Sequence, residues 1–163
     1  MEKKNIYLDL DGVILDSEAL VMDLINKSKP KTKQEWDLFF ENIDWKKLFS
    51  ESKSLNNSVE IIHELQKFRR DIVILTKIHT VGEMRAKAYD LRENRNILLP
   101  ISFVPSHMEK SQICIPFEGD ILVDDSVKNV DDWIKNGGAG ILFDESCKEE
   151  TKGRVRSLDF LLK

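Results

Sequence analysis

The amino-acid sequence predicts an α/β fold with three layers, α/β/α, around a mainly parallel sheet, and with a small helical segment inserted after the first strand. Three observations support this prediction. Five short runs rich in Ile, Leu and Val are separated by segments with helical periodicity. Most of these runs are continuous rather than alternating, which is typical of parallel strands that helices cover on both faces. A long stretch between the first two runs breaks the regular alternation and indicates the insertion.

The five apolar runs are the predicted strands. They lie at 6–10, 71–76, 101–104, 120–125 and 139–144. Strands that alternate with helices are joined by right-handed crossovers, so these strands are expected to lie parallel in one sheet.

The predicted helices have recognisable beginnings and ends. Thr80 and Glu83 form a capping-box pattern at the start of a helix that extends to about Glu93. Another helix, at 127–136, is followed by two glycines, which commonly end helices. Two more helices are expected at 57–69 and 154–162.

The segment between the first two strands is too long for one crossover helix. It contains a helical pattern near 17–28, a break at Pro30, and a second capping box formed by Thr32 and Glu35. We interpret residues 17–56 as a small helical cap. Residues 1–16 and 57–163 then form the core domain.

The aromatic residues of this cap are expected to pack mainly against one another, because a cap needs a small core of its own. One or two of the rings could instead face a ligand and stack on a flat group such as a nucleobase. These residues are Trp36, Phe39, Phe40, Trp45 and Phe49.

Length and composition narrow the class of protein. The chain has 163 residues, 41% hydrophobic and 33% charged, which fits one globular domain with a modest insertion. A net charge of −4 gives little reason to expect polymeric nucleic acid or an anionic membrane as a partner. No run approaches the length of a membrane span, and the two cysteines lack metal-ligand spacing. We therefore expect a cytoplasmic protein with reduced thiols. The oligomeric state stays open.

Polar residues gather where the predicted strands end. Ligands of open α/β sheets bind beyond the carboxyl ends of the strands, so these residues are candidates for a site. They are Asp9, Asp11, Thr76, Lys77, Asp124, Asp125 and Ser126, together with Ser106, His107, Glu109 and Lys110 in the loop after the third strand. His79 and His107 are expected to be loop residues rather than ligands.

Carboxylates that converge at one edge of a sheet repel one another unless a cation lies among them. Oxygen ligands of this kind suit Mg²⁺, which is commonly held by a few carboxylates and a substrate phosphate. A lysine and a hydroxyl group nearby suit a phosphoryl group. An aspartate can then act as the nucleophile and form an aspartyl phosphate. The pattern predicts phosphoryl transfer.

The motifs D9-L-D11-G-V, the run ending at Thr76, Lys110, and the pair Asp124–Asp125 occur in that order along the chain. In this order they resemble the four motifs of the haloacid dehalogenase-like (HAD) phosphohydrolases. The resemblance spans nearly the whole chain and implies a Rossmann-like core with a helical cap. The segment ILVDDSVKNVDDWIKNGGAGILFD is further similar to the 5′(3′)-deoxyribonucleotidase branch of that family.

The resemblance implies a role for each catalytic residue. Asp9 would attack phosphorus as the nucleophile, and Asp11 would protonate the leaving alcohol and then activate water. Thr76 would donate a hydrogen bond to a phosphoryl oxygen. Lys110 would neutralise charge on the phosphoryl group and on Asp9. Lys77 is a further candidate for phosphate binding.

The resemblance also implies the magnesium ligands, which are the Asp9 carboxylate, the Asp11 backbone carbonyl and Asp124. Asp125 would support the metal through water or position the motif lysine, although it could instead cap the helix that follows. Gly12 would let the chain turn sharply beside the two aspartates. Lys77 and Lys87 compete with Lys110 for the role of motif lysine.

The expected function is Mg²⁺-dependent hydrolysis of a phosphomonoester, with a small phosphorylated metabolite as substrate. A nucleoside or deoxynucleoside monophosphate is the first candidate, and a sugar phosphate or phosphoglycolate is the alternative. Two other classes are a signalling receiver domain and a non-catalytic protein that binds a phosphorylated ligand. The order of the motifs opposes the receiver, and the intact Asp9 and Asp11 oppose the binder.

Overall fold

A computed structural model describes residues 4–163 of the chain. Within these residues the fold is one sheet of six strands in the order β3-β2-β1-β4-β5-β6, and every neighbouring pair is parallel. The strands are β1 (Ile6–Leu8), β2 (Ile72–Ile78), β3 (Ile101–Pro105), β4 (Ile121–Asp124), β5 (Ala139–Phe143) and β6 (Arg154–Val155). The predicted α/β fold with a parallel sheet is confirmed.

Helices alternate with the strands after β2 and fill the long connection before it. They are α1 (Ser17–Ser28), α2 (Lys33–Asn42), α3 (Trp45–Glu51), α4 (Ser58–Phe68), α5 (Val81–Tyr89), α6 (Lys110–Ile113) and α7 (Val127–Lys135). No helix among residues 4–163 is both long enough and apolar enough to cross a membrane.

Strand β1 lies in the middle of the sheet, with β2 paired along one edge and β4 along the other. Its Leu8 is aligned with Ile74 of β2 and Val123 of β4, and these three side chains are fully buried. The chain extends the sheet outward from β1 in one direction through β2 and in the other through β4. The strand order therefore reverses between β1 and β4, which is where open α/β sheets bind ligands.

The inserted helices are buried unequally. Helix α3 packs against α5, and its Trp45, Leu48 and Phe49 belong to the same buried cluster as the sheet residues. Helix α1 buries only Ser17, and α2 buries no residue. The capping box of Thr32 and Glu35 is present at the start of α2.

The predicted helix at 154–162 is wrong. Residues Arg154–Val155 form the short edge strand β6, and a 3-10 turn follows at Asp159–Leu162. The backbone of β5 decides this, because Leu142 and Phe143 pair with the two residues of β6 and would otherwise form an open edge. Val155 is buried there, which its branched side chain suits.

Other boundaries also differ from the predictions, and strand β1 ends at Leu8, two residues before the predicted end. Strand β2 continues through Thr76 to Ile78, because residues 76–78 still pair with β3. The helix predicted to reach Glu93 ends at Tyr89 and continues as a π-helical turn, Asp90–Asn94. The wider turn places the Arg95 guanidinium 2.5 Å from the Asp90 carboxylate, which is itself buried.

Candidate active site

A cavity of about 350 Å³ opens at the carboxyl edge of the sheet, beyond β1, β2 and β4. Its walls include Asp9, Asp11, Lys77, Lys110 and Asp125. A larger groove, of about 730 Å³, lies between α1, α2 and α3, but none of these five residues lines it. The smaller cavity is therefore the candidate active site.

Lys110 forms ion pairs with two carboxylates of the site, those of Asp9 and Asp124. It begins α6, and its ammonium lies 2.9 Å from Asp9 Oδ1 and 2.6 Å from Asp124 Oδ2. The Lys110 side chain is 2% exposed, so these ion pairs lie out of water. Burial lowers the pKa of Lys110, but the two carboxylates outweigh this effect and the pKa is above its ordinary value. Lys110 is therefore held as a cation between Asp9 and Asp124.

Asp124, the last residue of β4, is fixed by the start of α7 as well as by Lys110. The backbone N–H of Ser126 and the side-chain amide of Asn129 donate to Asp124 Oδ1, and the amide also lies 3.1 Å from Oδ2. Ser126, rather than Asp125, caps α7, since its hydroxyl accepts from the Asn129 N–H. The possible capping role of Asp125 is thus wrong, and its carboxylate is left to face the cavity.

Three carboxylates form a cluster that fits a hard cation. One oxygen each from Asp9, Asp124 and Asp125 lies within 4.8 Å of the others. Burial raises the pKa of Asp9 well above its usual range, and the neighbouring carboxylates raise it further although Lys110 lowers it. Asp125 is itself exposed, and partial desolvation at the cavity wall together with Asp124 raises the pKa of its carboxyl group to about 7. Three carboxylates converge here on one ammonium, that of Lys110, and Mg²⁺ would offset the remaining negative charge.

Asp11 points away from this cluster into a different environment. Its Oδ1 accepts from the Ser17 hydroxyl at 2.6 Å, and its Oδ2 lies 2.7 Å from the Lys87 ammonium and 3.2 Å from the Thr76 hydroxyl. Burial raises the pKa of Asp11, but Lys87 and the hydrogen bonds outweigh it and hold the pKa below its ordinary value. The two neighbouring aspartates are therefore electrostatically distinct.

Thr76 and Lys77 are placed differently from each other. The Thr76 side chain is fully buried, and its hydroxyl lies against Asp11 and Lys87. The Lys77 side chain lines the cavity and lies 3.4 Å from Glu109, which also pairs with Lys128. A phosphate contact is therefore open to Lys77 in this arrangement, whereas the Thr76 hydroxyl is engaged within the protein.

Gly12 turns the chain beside both aspartates with a φ of +80°. A Cβ atom at this position would overlap the Asp125 carboxylate. Glycine suits this position, because other residues rarely adopt this φ and a side chain would have to displace the Asp125 carboxylate.

We expect Gly12→Ala to destabilise the fold by about 1–3 kcal/mol and to weaken Mg²⁺ binding, because the new methyl group displaces Asp125. Urea unfolding and calorimetric titration with Mg²⁺ measure the two effects. Gly153→Ala is the control, since a Cβ there meets no atom within 4 Å. Equal Mg²⁺ affinity in Gly12→Ala and the wild type would contradict the placement of Asp125 at the cation site.

Several residues of the site were not predicted. Lys87 appeared in the sequence only as a competitor for Lys110, and His79 only as a loop residue. His79 does lie in a loop, but it lines the cavity together with Glu83. One signal could have found them, because His79, Glu83 and Lys87 are spaced four apart, as on one helix face.

The aromatic residues of the insertion pack mainly on one another, and Phe40 also stacks on His79 of the cavity wall. Phe40 stacks on Trp45, and Trp45 stacks on Phe49. Trp36 and Phe39 complete the cluster through Phe40. Of these five rings, Trp45 alone lines the cavity, and it is 5% exposed.

Comparisons with known proteins agree on the fold. No protein-family model matches the sequence, and no curated protein matches it. A HAD phosphatase from Thermococcus onnurineus is similar in structure, with a TM-score of 0.56, 12% identity and 98% of each chain covered. A HAD-superfamily hydrolase from Ehrlichia chaffeensis has a TM-score of 0.58 at 8% identity, over 98% of this chain and 96% of that one. A family IA HAD hydrolase from Entamoeba histolytica has a TM-score of 0.53 at 13% identity, over 96% of this chain and 92% of that one.

These three structures match the chain over nearly its whole length, including the inserted helices. Their low sequence identity means that the likeness concerns the fold. The protein therefore has the α/β fold of the HAD-superfamily hydrolases.

Proposed function

We propose that this protein is a Mg²⁺-dependent phosphomonoester hydrolase that acts through an aspartyl phosphate on Asp9. One observation carries the proposal. Asp9 and Asp11 leave the same strand two residues apart, yet one joins the carboxylate cluster and the other an ammonium and two hydroxyl groups. Two carboxyl groups with different environments are suited to different roles in catalysis.

In the first step Asp9 attacks phosphorus. Its Oδ1 accepts hydrogen bonds from the Leu10 N–H and from Lys110, so we assign Oδ2 as the nucleophile. A bond forms between Oδ2 and phosphorus while the ester P–O bond breaks. The leaving oxygen takes its proton from the Asp11 carboxyl group, because an incoming phosphate dianion favours the protonated form of Asp11.

In the second step water attacks the phosphorus of the aspartyl phosphate. Asp11, now a carboxylate, takes the proton from water, and the bond between phosphorus and Oδ2 breaks to release inorganic phosphate. The Lys110 ammonium, already in contact with Asp9, balances negative charge in both steps. Ser17, Thr76 and Lys87 hold Asp11 in place.

The acidic cluster supplies the proposed magnesium ligands. The carboxylates of Asp9, Asp124 and Asp125 would hold the ion, with the backbone carbonyl of Asp11 as a further ligand. Bound Mg²⁺ supplies positive charge for the carboxylates and for an oxygen of the transferred phosphoryl group.

We propose a nucleoside or deoxynucleoside monophosphate as the first substrate class, on the resemblance of residues 121–144 to the deoxyribonucleotidases. A sugar phosphate or phosphoglycolate is the second candidate. The stacking of the insertion aromatics on one another favours the second. Of the insertion rings only Trp45 reaches the cavity wall, and it is stacked on Phe40 and Phe49. We also propose a cytoplasmic location.

A phosphate-release screen tests the function. The panel contains nucleoside monophosphates, sugar phosphates, phosphoglycolate and 4-nitrophenyl phosphate, each with EDTA and then with excess Mg²⁺. We expect release only with Mg²⁺ and faster turnover of one substrate class. Uniformly weak turnover would contradict the nucleotide proposal. The absence of release from every substrate would contradict the phosphatase proposal and favour a receiver or a non-catalytic binding protein.

A further inference from the structure

Lys87 is a fully buried lysine whose role the four HAD motifs do not define. Its ammonium lies 2.7 Å from Asp11 Oδ2, 2.9 Å from Glu83 Oε1, 2.9 Å from Thr76 Oγ1 and 2.6 Å from the Lys77 carbonyl oxygen. A buried ammonium is costly unless it is paired and hydrogen-bonded. Here oxygen atoms surround it, so the position is a built feature of the fold.

The Lys87 ammonium brings together three separate parts of the chain. Lys87 and Glu83 lie one turn apart on α5, Thr76 and Lys77 lie in β2, and Asp11 follows β1. With Ser17 bonded to Oδ1 of Asp11, the contact of Lys87 with Oδ2 fixes both oxygens of that carboxyl group. Without Lys87, Oδ2 would retain the longer bond from Thr76, at 3.2 Å.

Glu83 is held in turn from its other side. Its Oε2 accepts from the His79 backbone N–H at 2.7 Å and lies 3.1 Å from His79 Nδ1. The His79 ring stacks on Phe40 of α2, with 3.7 Å between ring centroids. Helix α2 of the insertion therefore contacts His79, which holds Glu83, and Glu83 in turn holds Lys87.

We propose that Lys87 is a positioning residue for the reaction, because it holds the Asp11 carboxyl group in the orientation from which it exchanges protons with the leaving group and with water. This inference rests on the proposed function. It gives the protein two essential lysines with separate duties. Lys110 serves the nucleophile Asp9, and Lys87 serves the proton-transfer residue Asp11.

The alternative is that Lys87 only balances buried charge and stabilises the fold. The two roles differ in how the loss of Lys87 depends on the leaving group. An alkyl alkoxide needs a proton to leave, whereas 2,4-dinitrophenolate leaves without one. A positioning role therefore predicts unequal losses in kcat/KM, which reports the formation of the aspartyl phosphate, and a structural role predicts equal ones.

The experiment measures kcat/KM of Lys87→Met for an alkyl phosphomonoester and for 2,4-dinitrophenyl phosphate, with Mg²⁺. We expect a loss of about 100-fold on the alkyl ester, because small misplacements of a catalytic group have effects of that size. We expect a much smaller loss on the dinitrophenyl ester. Asp11→Asn should show the same selectivity. Adding Lys87→Met to Asp11→Asn should have little further effect on the alkyl ester.

Lys87→Met leaves Glu83 without its cation and could fail to fold. The double variant Glu83→Gln and Lys87→Met removes that charge and provides a second protein for the same measurement. Arg95→Met is the matched control, because Arg95 is a largely buried cation paired with a buried carboxylate, that of Asp90. It should lower stability but leave the ratio of the two kcat/KM values unchanged.

Three results would overturn the inference in an active enzyme. One is an equal loss on both esters, and another is full activity of the Lys87 variants on the alkyl ester. Independent, multiplicative effects of Lys87→Met and Asp11→Asn would do the same. If the wild-type protein hydrolyses neither ester, the proposed function itself fails, and that outcome is distinguished by the wild-type measurement alone.

Discussion

Asp9→Asn is expected to abolish phosphate release, with kcat reduced by about 10⁴-fold or more. The amide is a far weaker nucleophile than the carboxylate and cannot form the aspartyl phosphate. The fold should survive, because the amide has nearly the same shape and Asp124 remains as the partner of Lys110. The assay is Mg²⁺-dependent turnover of 4-nitrophenyl phosphate, together with trifluoroberyllate binding followed by ¹⁹F NMR, since that anion attaches to the nucleophilic carboxylate.

Asp120→Asn provides the matched control for this variant. Asp120 is also a buried aspartate that accepts backbone hydrogen bonds, from Asn5 and Phe117, but it lies at the amino end of β4. It should lose some stability and keep its turnover number. Wild-type turnover by Asp9→Asn would disprove the assignment of the nucleophile.

Lys110→Met is expected to have the largest effect on stability. It leaves Asp9 and Asp124 buried together without their shared cation, which typically costs about 3–5 kcal/mol. Mg²⁺ should restore part of the lost stability, because binding at 100 times Kd contributes about 2.7 kcal/mol. Turnover should also fall strongly, since the charge on the transferred phosphoryl group is less well balanced. Urea unfolding with and without Mg²⁺ gives both stabilities.

Lys67→Met is the comparison for Lys110→Met. Lys67 also pairs with a carboxylate, that of Glu64, but both side chains are more than half exposed. Exposed pairs contribute about 0–1 kcal/mol, so this variant should unfold close to the wild type. A Lys110→Met protein as stable as Lys67→Met, and unaffected by Mg²⁺, would show that the acidic cluster is neither buried nor a cation site.

The fold could be predicted from local patterns because parallel strands are buried on both faces. Continuous apolar runs such as DIVILT and DILVDD identify such strands without knowledge of their neighbours. The failure at 154–162 has the opposite cause. β6 is two residues long, and it exists because the edge of β5 offers backbone partners, which no pattern in the tail itself records.

The general location of the site could be predicted because topology brings the carboxyl ends of parallel strands together. That rule predicted that Asp9, Lys110 and Asp124 would lie close together, and their contact distances agree with it. The same rule could not predict which lysine contacts which carboxylate. Whether Lys87 or Lys110 faces a given carboxylate depends on how α5 and α6 are rotated against the sheet.

By itself, the sequence determined the α/β class, the order of the strands along the chain, and the residue types available for phosphoryl chemistry. These depend on burial patterns and spacing, which are local. Only the tertiary structure decided that Asp9 and Asp11 point into different environments and that the aromatics of the insertion stack on one another. Those outcomes depend on contacts between residues distant in the chain, such as Asp11 with Lys87, whose energies exist only once the elements pack together.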